Sequence, residues 1–142
     1  MKQISDRVRT FFERYEKGTN STDPDLVALQ YCDTFLFGGP GGVQAVKKED
    51  FLQTFPKREG FFKAIGLTAS RIKSLQETQL DQNYVMVKVA WSMKFEKPPG
   101  PSVDVDLKTT YVLFQQESSY QIVFQLDHQD FMKRVQDLGL LP

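Results

Sequence analysis

Apolar residues recur along the chain with two different spacings, one typical of helices and one typical of strands. Near the amino terminus they stand three or four positions apart and predict a helix with one aromatic-rich face, made by Ile4, Val8, Phe11, Phe12 and Tyr15. Gly18 follows where helices commonly end. Asp23 and Pro24 then suit the cap and first position of a short second helix over residues 24–31.

The next part of the chain predicts a strand, a turn and a second strand, followed by a third helix. Residues 32–46 read CDTFLFGGPGGVQAV, in which two runs of strand-forming residues flank a turn rich in glycine. The segment KKEDFLQTF begins the third helix, which Pro56 should interrupt and Gly66 should end.

From about residue 68 the apolar spacing changes from the helical period to alternation. It predicts a weak strand over 68–79 and three stronger strands, over 85–95, 103–113 and 120–126. A final helix is expected after Asp127, which we predict as its cap, with Phe131, Val135 and Leu138 buried. No linker or repeat interrupts the pattern, so we predict a single domain over residues 1–142, of mixed α+β class.

Composition excludes several classes of function. The 142 residues hold 18 basic and 18 acidic side chains, which argues against a nucleic-acid-binding protein. One cysteine, Cys32, and one histidine, His128, are too few for an intrachain disulfide or a structural zinc site, and no cofactor motif is present. The polar start and the lack of a long apolar run predict no signal peptide and no membrane span, hence a cytoplasmic protein.

The order of elements and the stretch LVALQYCDTFLF resemble the nuclear transport factor 2-like superfamily, which includes ketosteroid isomerases and SnoaL-type polyketide cyclases. The resemblance implies a strongly curved antiparallel sheet wrapped around the N-terminal helices, a cystatin-like cone, with a short C-terminal helix. It also implies a mostly apolar pocket at the open end and, commonly, a homodimer. We expect the dimer surface on the less covered face of the sheet, at Tyr84, Met86 and Ala90.

The isomerase chemistry of that superfamily is not predicted here. Matching the signature residue by residue places the catalytic base at Gly38 and the late-strand acid at Thr110 or Tyr111, and none of these is a carboxylate. Only the tyrosine of the first helix has a counterpart, Tyr15. We therefore assign no catalytic residue and interpret GGPGG as a structural turn.

Six residues are candidates for lining a ligand pocket: Tyr15, Tyr31, Asp33, Trp91, Tyr111 and His128. Asp33 and His128 have open alternative roles, as local hydrogen-bonding groups or as the acid and base of a SnoaL-like enzyme. Trp91 and Tyr111 either fill the cone or line its pocket, and Cys32 is expected to be a buried, unreactive thiol.

Three hypotheses for function follow. The first is a domain that binds an apolar or aromatic small molecule, or regulates through it, without catalysis. The second is an isomerase, cyclase or hydrolase of SnoaL type that uses Asp33 or His128. The third is a protein-interaction module that docks a partner on the outer face of the sheet.

Overall fold

Five helices and six strands follow one another in the described part of the chain, residues 4–21 and 23–141 of a computed structural model. In order they are α1 (Asp6–Ser21), α2 (Pro24–Ala28), β1 (Tyr31–Gly39), β2 (Gly42–Lys47), α3 (Lys48–Gln53), α4 (Phe55–Ala64), β3 (Leu67–Gln79), β4 (Tyr84–Phe95), β5 (Val103–Gln116), β6 (Ser119–Asp127) and α5 (Phe131–Asp137). The predicted α+β class and the order of elements are confirmed.

The ends of the helices differ from the prediction at two places. Helix α2 ends at Ala28, three residues early, and β1 begins at Tyr31. The cap of α5 is Asp130, whose carboxylate accepts a hydrogen bond from the Lys133 backbone N–H at 3.1 Å, so the assignment of the cap to Asp127 was wrong. As a result, Asp127 remains on β6.

The six strands form one sheet in the order β2-β1-β6-β5-β4-β3. All neighbours are antiparallel except β1 and β6, which run parallel, so the sheet is mixed where the sequence predicted an antiparallel one. The parallel pair joins strands that are far apart in the chain, and such pairs need a long connection rather than a hairpin.

A β-bulge in β6 changes which side chains face the helices. Ile122 pairs with Leu113, but Phe124 pairs with Val112, which leaves Val123 as an extra residue. An extra residue moves every following side chain to the other face of the sheet. The alternation of the sequence predicted one face for Ile122 and Phe124, and the bulge places them on opposite faces.

The core lies between α1 and the inner face of the sheet. Its largest fully buried side chains are those of Tyr31, Tyr111, Phe12, Phe35 and Phe95. Aromatic rings from α1 and the strands meet edge to face, and such contacts stabilise a core beyond the burial of their area. This packing fills one part of the cone and leaves the other part open.

Helix α1 also covers the outer edge of β3, the last strand of the sheet. The Glu16 carboxylate accepts a hydrogen bond from the Ile72 backbone N–H at 2.6 Å. The Asn20 side chain accepts from the Ser70 N–H and donates to the Ser70 carbonyl, both at 2.7 Å. Side chains of the helix thus pair with backbone groups that an edge strand would otherwise leave open.

The turn from α4 to β3 requires glycine. Gly66 has φ +83°, and a Cβ atom there would lie 2.7 Å from the Glu96 carbonyl oxygen. The close approach is fixed by a hydrogen bond of 2.7 Å from the Glu96 N–H to the Gly66 carbonyl. The predicted end of the helix at Gly66 therefore has a structural reason.

Candidate functional site

A cavity of about 500 Å³ opens between the inner face of the sheet and helices α1, α4 and α5. Most of its lining is apolar and aromatic. The aromatic residues of the lining are Tyr15, Tyr31, Phe37, Phe51, Phe55, Phe61, Phe62, Trp91, Tyr111 and Phe131. A concave, mostly apolar space of this size with a few polar groups is the usual form of a small-molecule site.

Three tyrosine hydroxyls meet in the wall of this cavity. The Tyr15 and Tyr31 oxygens are 2.7 Å apart, and the Tyr111 hydroxyl donates to the Tyr15 oxygen at 3.2 Å. All three side chains are buried. Burial raises the pKa of Tyr15 and raises those of Tyr31 and Tyr111 well above the ordinary value, so all three are neutral phenols at neutral pH.

The hydrogen bonds of these hydroxyls run in one direction. The Tyr31 hydroxyl donates to the Gln125 Oε1 atom at 2.6 Å, so its single hydrogen is not available to Tyr15. Tyr15 must therefore donate to Tyr31, and Tyr111 donates to Tyr15. We call this series, from Tyr111 through Tyr15 and Tyr31 to Gln125, the tyrosine chain.

The tyrosine chain leads to a carboxyl group, Asp127. The Gln125 Nε2 atom donates to Asp127 Oδ1 at 3.4 Å, and the Thr109 hydroxyl donates to the same oxygen at 3.3 Å. The Oδ2 atom has no hydrogen-bond partner among the described residues. Asp127 is one of the residues that line the cavity.

Burial raises the pKa of Asp127 above its ordinary value. The hydrogen bonds from Gln125 and Thr109 and the charge of Arg58 oppose that shift. A carboxyl group in such a setting keeps its proton to a higher pH than one on the surface does.

Arg58, an exposed residue of α4, is a second charged group in the lining of the cavity. Its guanidinium lies 5.4 Å from the centre of the Phe51 ring and 5.5 Å from that of Phe62. Its charge lowers the pKa of Tyr15 and Tyr31, in opposition to the larger effect of burial. No carboxylate of the described residues lies within 4 Å of it.

The comparisons with known proteins agree with the fold described above. A family model described as an NTF2-like protein (DUF6841) matches residues 2–130. The chain belongs to this NTF2-like family. No curated protein matches the chain.

Solved structures show the same fold for NTF2-like proteins of low sequence identity. An NTF-2 like protein of unknown function from Shewanella oneidensis MR-1 is 14% identical, with a TM-score of 0.70 over 87% of this chain and 98% of its own. A protein of unknown function with a cystatin-like fold from Nostoc punctiforme is 8% identical, with a TM-score of 0.67 over 92% and 96%. A putative calcium/calmodulin dependent protein kinase II association domain from Xanthomonas campestris is 14% identical, with a TM-score of 0.67 over 92% and 90%. At such identities the likeness establishes the fold alone.

Four of the six candidate pocket residues line the cavity of this NTF2-like chain, namely Tyr15, Tyr31, Trp91 and Tyr111. Asp33 does not line it, because its side chain is 99% exposed and pairs with Lys48 at 3.4 Å. His128 does not line it either: the residue is exposed, and its Nε2 atom lies 2.6 Å from the Thr110 hydroxyl. An acid–base role in the cavity therefore has no geometric basis at Asp33 or His128.

The glycine matched to the superfamily's base position faces away from the cavity. A Cβ atom at Gly38 would meet the side chains of Leu126 and Phe124 at 3.3 and 3.4 Å, on the outer face of the sheet. The GGPGG turn contributes no lining residue. Cys32 is half-buried, and burial raises the pKa of its thiol, which lowers its reactivity.

Sequence reasoning missed the three polar residues that distinguish this cavity, Gln125, Asp127 and Arg58. Gln125 alternates with Phe124 and Leu126, so alternation places it on the solvent face, and the bulge reverses that pattern. Asp127 was expected to cap the last helix and not to line a pocket. Arg58 is one of several charged residues on α4 with no distinguishing pattern. Within residues 4–21 and 23–141, no three His, Cys, Asp or Glu side chains are placed to hold a metal ion, and no helix is long and apolar enough to cross a membrane.

Proposed function

We propose that this NTF2-like chain binds a small, mainly apolar molecule in the cavity of its cone. The proposal is based on the aromatic lining of a cavity of about 500 Å³, whose polar groups include the tyrosine chain and Asp127. The apolar rings supply the free energy of binding by removing ligand surface from water, and the polar group orients the ligand.

Thermal melting in the presence of compounds tests the proposal. The panel comprises sterols, polyketides, fatty acids and aromatic acids, together with their neutral analogues. A ligand that binds only the folded protein adds about 2.7 kcal/mol of stability at one hundred times its dissociation constant, which is a clear shift in melting temperature. If no compound in the panel changes the melting temperature, the proposal fails.

A pair of matched variants assigns any shift to the cavity. Ala69 lines the cavity, so Ala69→Trp places an indole in the space that a ligand would occupy. Ala45 lies exposed on β2, so Ala45→Trp adds the same side chain away from the site. Binding should be lost in Ala69→Trp and retained in Ala45→Trp, and equal effects would place the ligand elsewhere.

A second candidate function is acid–base catalysis on the bound molecule. The observation that favours it is the Asp127 carboxyl, which lines the cavity and carries a pKa raised by burial. The test is turnover of each compound found by melting, in the native protein and in Asp127→Asn. Binding without turnover supports the first proposal alone, whereas turnover that Asp127→Asn abolishes supports catalysis.

We also propose that two copies of the chain associate through the outer face of the sheet. On β4, Tyr84 is 40% exposed and Met86 is half-buried, and the Tyr84 ring centre lies 5.2 Å from that of Phe114 on the neighbouring β5. Leu36, on β1 of the same sheet, is 43% exposed. Exposed apolar side chains on one face of a sheet support an interaction surface. Ala90, also expected there, stands opposite Lys108 at the more charged end of the face.

A further inference from the structure

Four charged residues line the cavity, and two of them neutralise each other. The Lys63 ammonium lies 3.7 Å from the Glu59 carboxylate, one turn away on α4. The remaining two are Arg58 and Asp127, and they do not form an ion pair with each other. The charge balance of the cavity therefore depends on these two groups.

The position of Arg58 is set by its aromatic neighbours. Its guanidinium lies over the rings of Phe51 and Phe62, which both belong to the cavity wall. Contact with the ring faces occupies none of the guanidinium N–H groups, and arginine can bind a carboxylate through two parallel hydrogen bonds from such groups. Among the described residues, no carboxylate fills that place.

The tyrosine hydroxyls and the Thr109 hydroxyl have no free hydrogen to donate to a ligand. Each hydrogen of the tyrosine chain is already donated, from Tyr111 to Tyr15, from Tyr15 to Tyr31 and from Tyr31 to Gln125. The Thr109 hydrogen is donated to Asp127. A ligand that brings acceptor oxygens is therefore bound by Arg58 in preference to the phenols.

We propose that the ligand of this cavity is a carboxylate on a flat or elongated apolar body, with its carboxylate bound by Arg58 and its body between the aromatic walls. This inference depends on the binding function proposed above. Asp127 lines the same cavity and, when ionised, repels the ligand's negative charge. The ionised Asp127 carboxylate therefore weakens the binding of the ligand's carboxylate.

The first test compares an acid with its amide of the same shape. Isothermal titration at low salt and pH 8 measures the binding of 2-naphthoate and 2-naphthamide, and of decanoate and decanamide. In the native protein the acid of at least one pair should bind about tenfold more tightly than its amide, which is the lower range for a hydrogen bond to a charged group. Because part of this attraction is electrostatic, the preference should decrease with added salt.

Three variants separate the contributions. Arg58→Gln keeps a polar planar group but removes the charge, so the acid and the amide should bind equally. Lys57→Gln removes a neighbouring charge on α4 that does not line the cavity, and it should leave the preference unchanged. Asp127→Asn removes the opposing charge, so it should bind the acid several-fold more tightly than the native protein does and the amide no differently.

The outcomes distinguish this inference from the function on which it rests. Equal binding of acid and amide, or binding of neutral compounds alone, overturns the carboxylate assignment and leaves the binding function intact. An unchanged preference in Arg58→Gln also overturns it. If no acid, amide or other compound of the panel binds the native protein, both proposals fail together.

Discussion

Removing the hydroxyl of Tyr31 tests the direction of the tyrosine chain. This hydroxyl accepts from Tyr15 at 2.7 Å and donates to Gln125 at 2.6 Å, inside the core. Tyr31→Phe therefore leaves the buried Tyr15 hydrogen without an acceptor, at a cost of about 1–3 kcal/mol for one buried group. The Gln125 oxygen is only half-buried and regains a partner from water in the cavity, so we expect a total loss of about 2 kcal/mol.

Tyr111→Phe is the informative comparison because Tyr111 is only a donor in the chain. Its removal leaves no hydrogen without an acceptor, and we expect a loss of about 0.5–1 kcal/mol. Tyr120→Phe is the control, since that side chain is only half-buried and its hydroxyl has no hydrogen-bond partner among the described residues. It should change stability by less than about 0.5 kcal/mol.

The assay is urea unfolding followed by the fluorescence of Trp91, the only tryptophan, at one fixed protein concentration. Trp91 is 4% exposed, and its ring centre lies 6.1 Å from that of Tyr15, so its emission reports directly on this part of the core. At about 3 °C per kcal/mol for a domain of this size, Tyr31→Phe should also melt roughly 6 °C lower. If Tyr111→Phe costs as much as Tyr31→Phe, the assigned direction is wrong.

Three further predictions concern charge, backbone and assembly. Burial raises the folded-state pKa of Asp127 above its unfolded value, so its contribution to stability is present at low pH and is lost as pH rises through the folded pKa. Asp127→Asn should therefore gain stability relative to the native protein between pH 3 and pH 8. A difference in stability that stays constant over this range would contradict the shift. Gly66→Ala should lose roughly 2 kcal/mol or more of stability because of the positive φ and the Glu96 carbonyl oxygen 2.7 Å from the new Cβ. Gly60→Ala, in a helix with open space around the new Cβ, should gain about 0.5–1 kcal/mol. Urea unfolding measures both changes, and stability changes of the same sign would refute the argument. Met86→Glu should convert a dimer to a monomer in size-exclusion chromatography with light scattering, and Lys57→Glu should not; an intact Met86→Glu dimer would place the interface elsewhere.

The sequence predicted the elements well because their signals are local. Alternation over β4 and β5 and the helical spacing of α1 depend only on neighbouring residues, and Pro24 and Gly66 mark ends through their own backbone geometry. The parallel pairing of β1 with β6 was missed because it depends on residues far apart in the chain. Alternation within a strand carries no information about its neighbour's direction.

The candidate site was predicted only in part, because β6 contains a bulge that the sequence pattern does not show. Aromatic residues on α1, β4 and β5 were correctly expected to point into the cone, since those elements keep their period throughout. On β6 one extra residue, Val123, turns Gln125 and Asp127 inward, and alternation alone assigns them to solvent. The acid was therefore sought at Asp33 and His128, which the fold leaves exposed on the outside.

The hydrogen bonds from α1 to the edge of β3 link the integrity of the cavity to resistance against aggregation. Helix α1 supplies both Tyr15 of the cavity wall and the Glu16 and Asn20 side chains that close the strand edge. Any opening that separates α1 from the sheet would dismantle the pocket and, in the same step, expose backbone groups ready to pair with another chain. Ligand binding, by holding α1 in place, would then also suppress self-assembly.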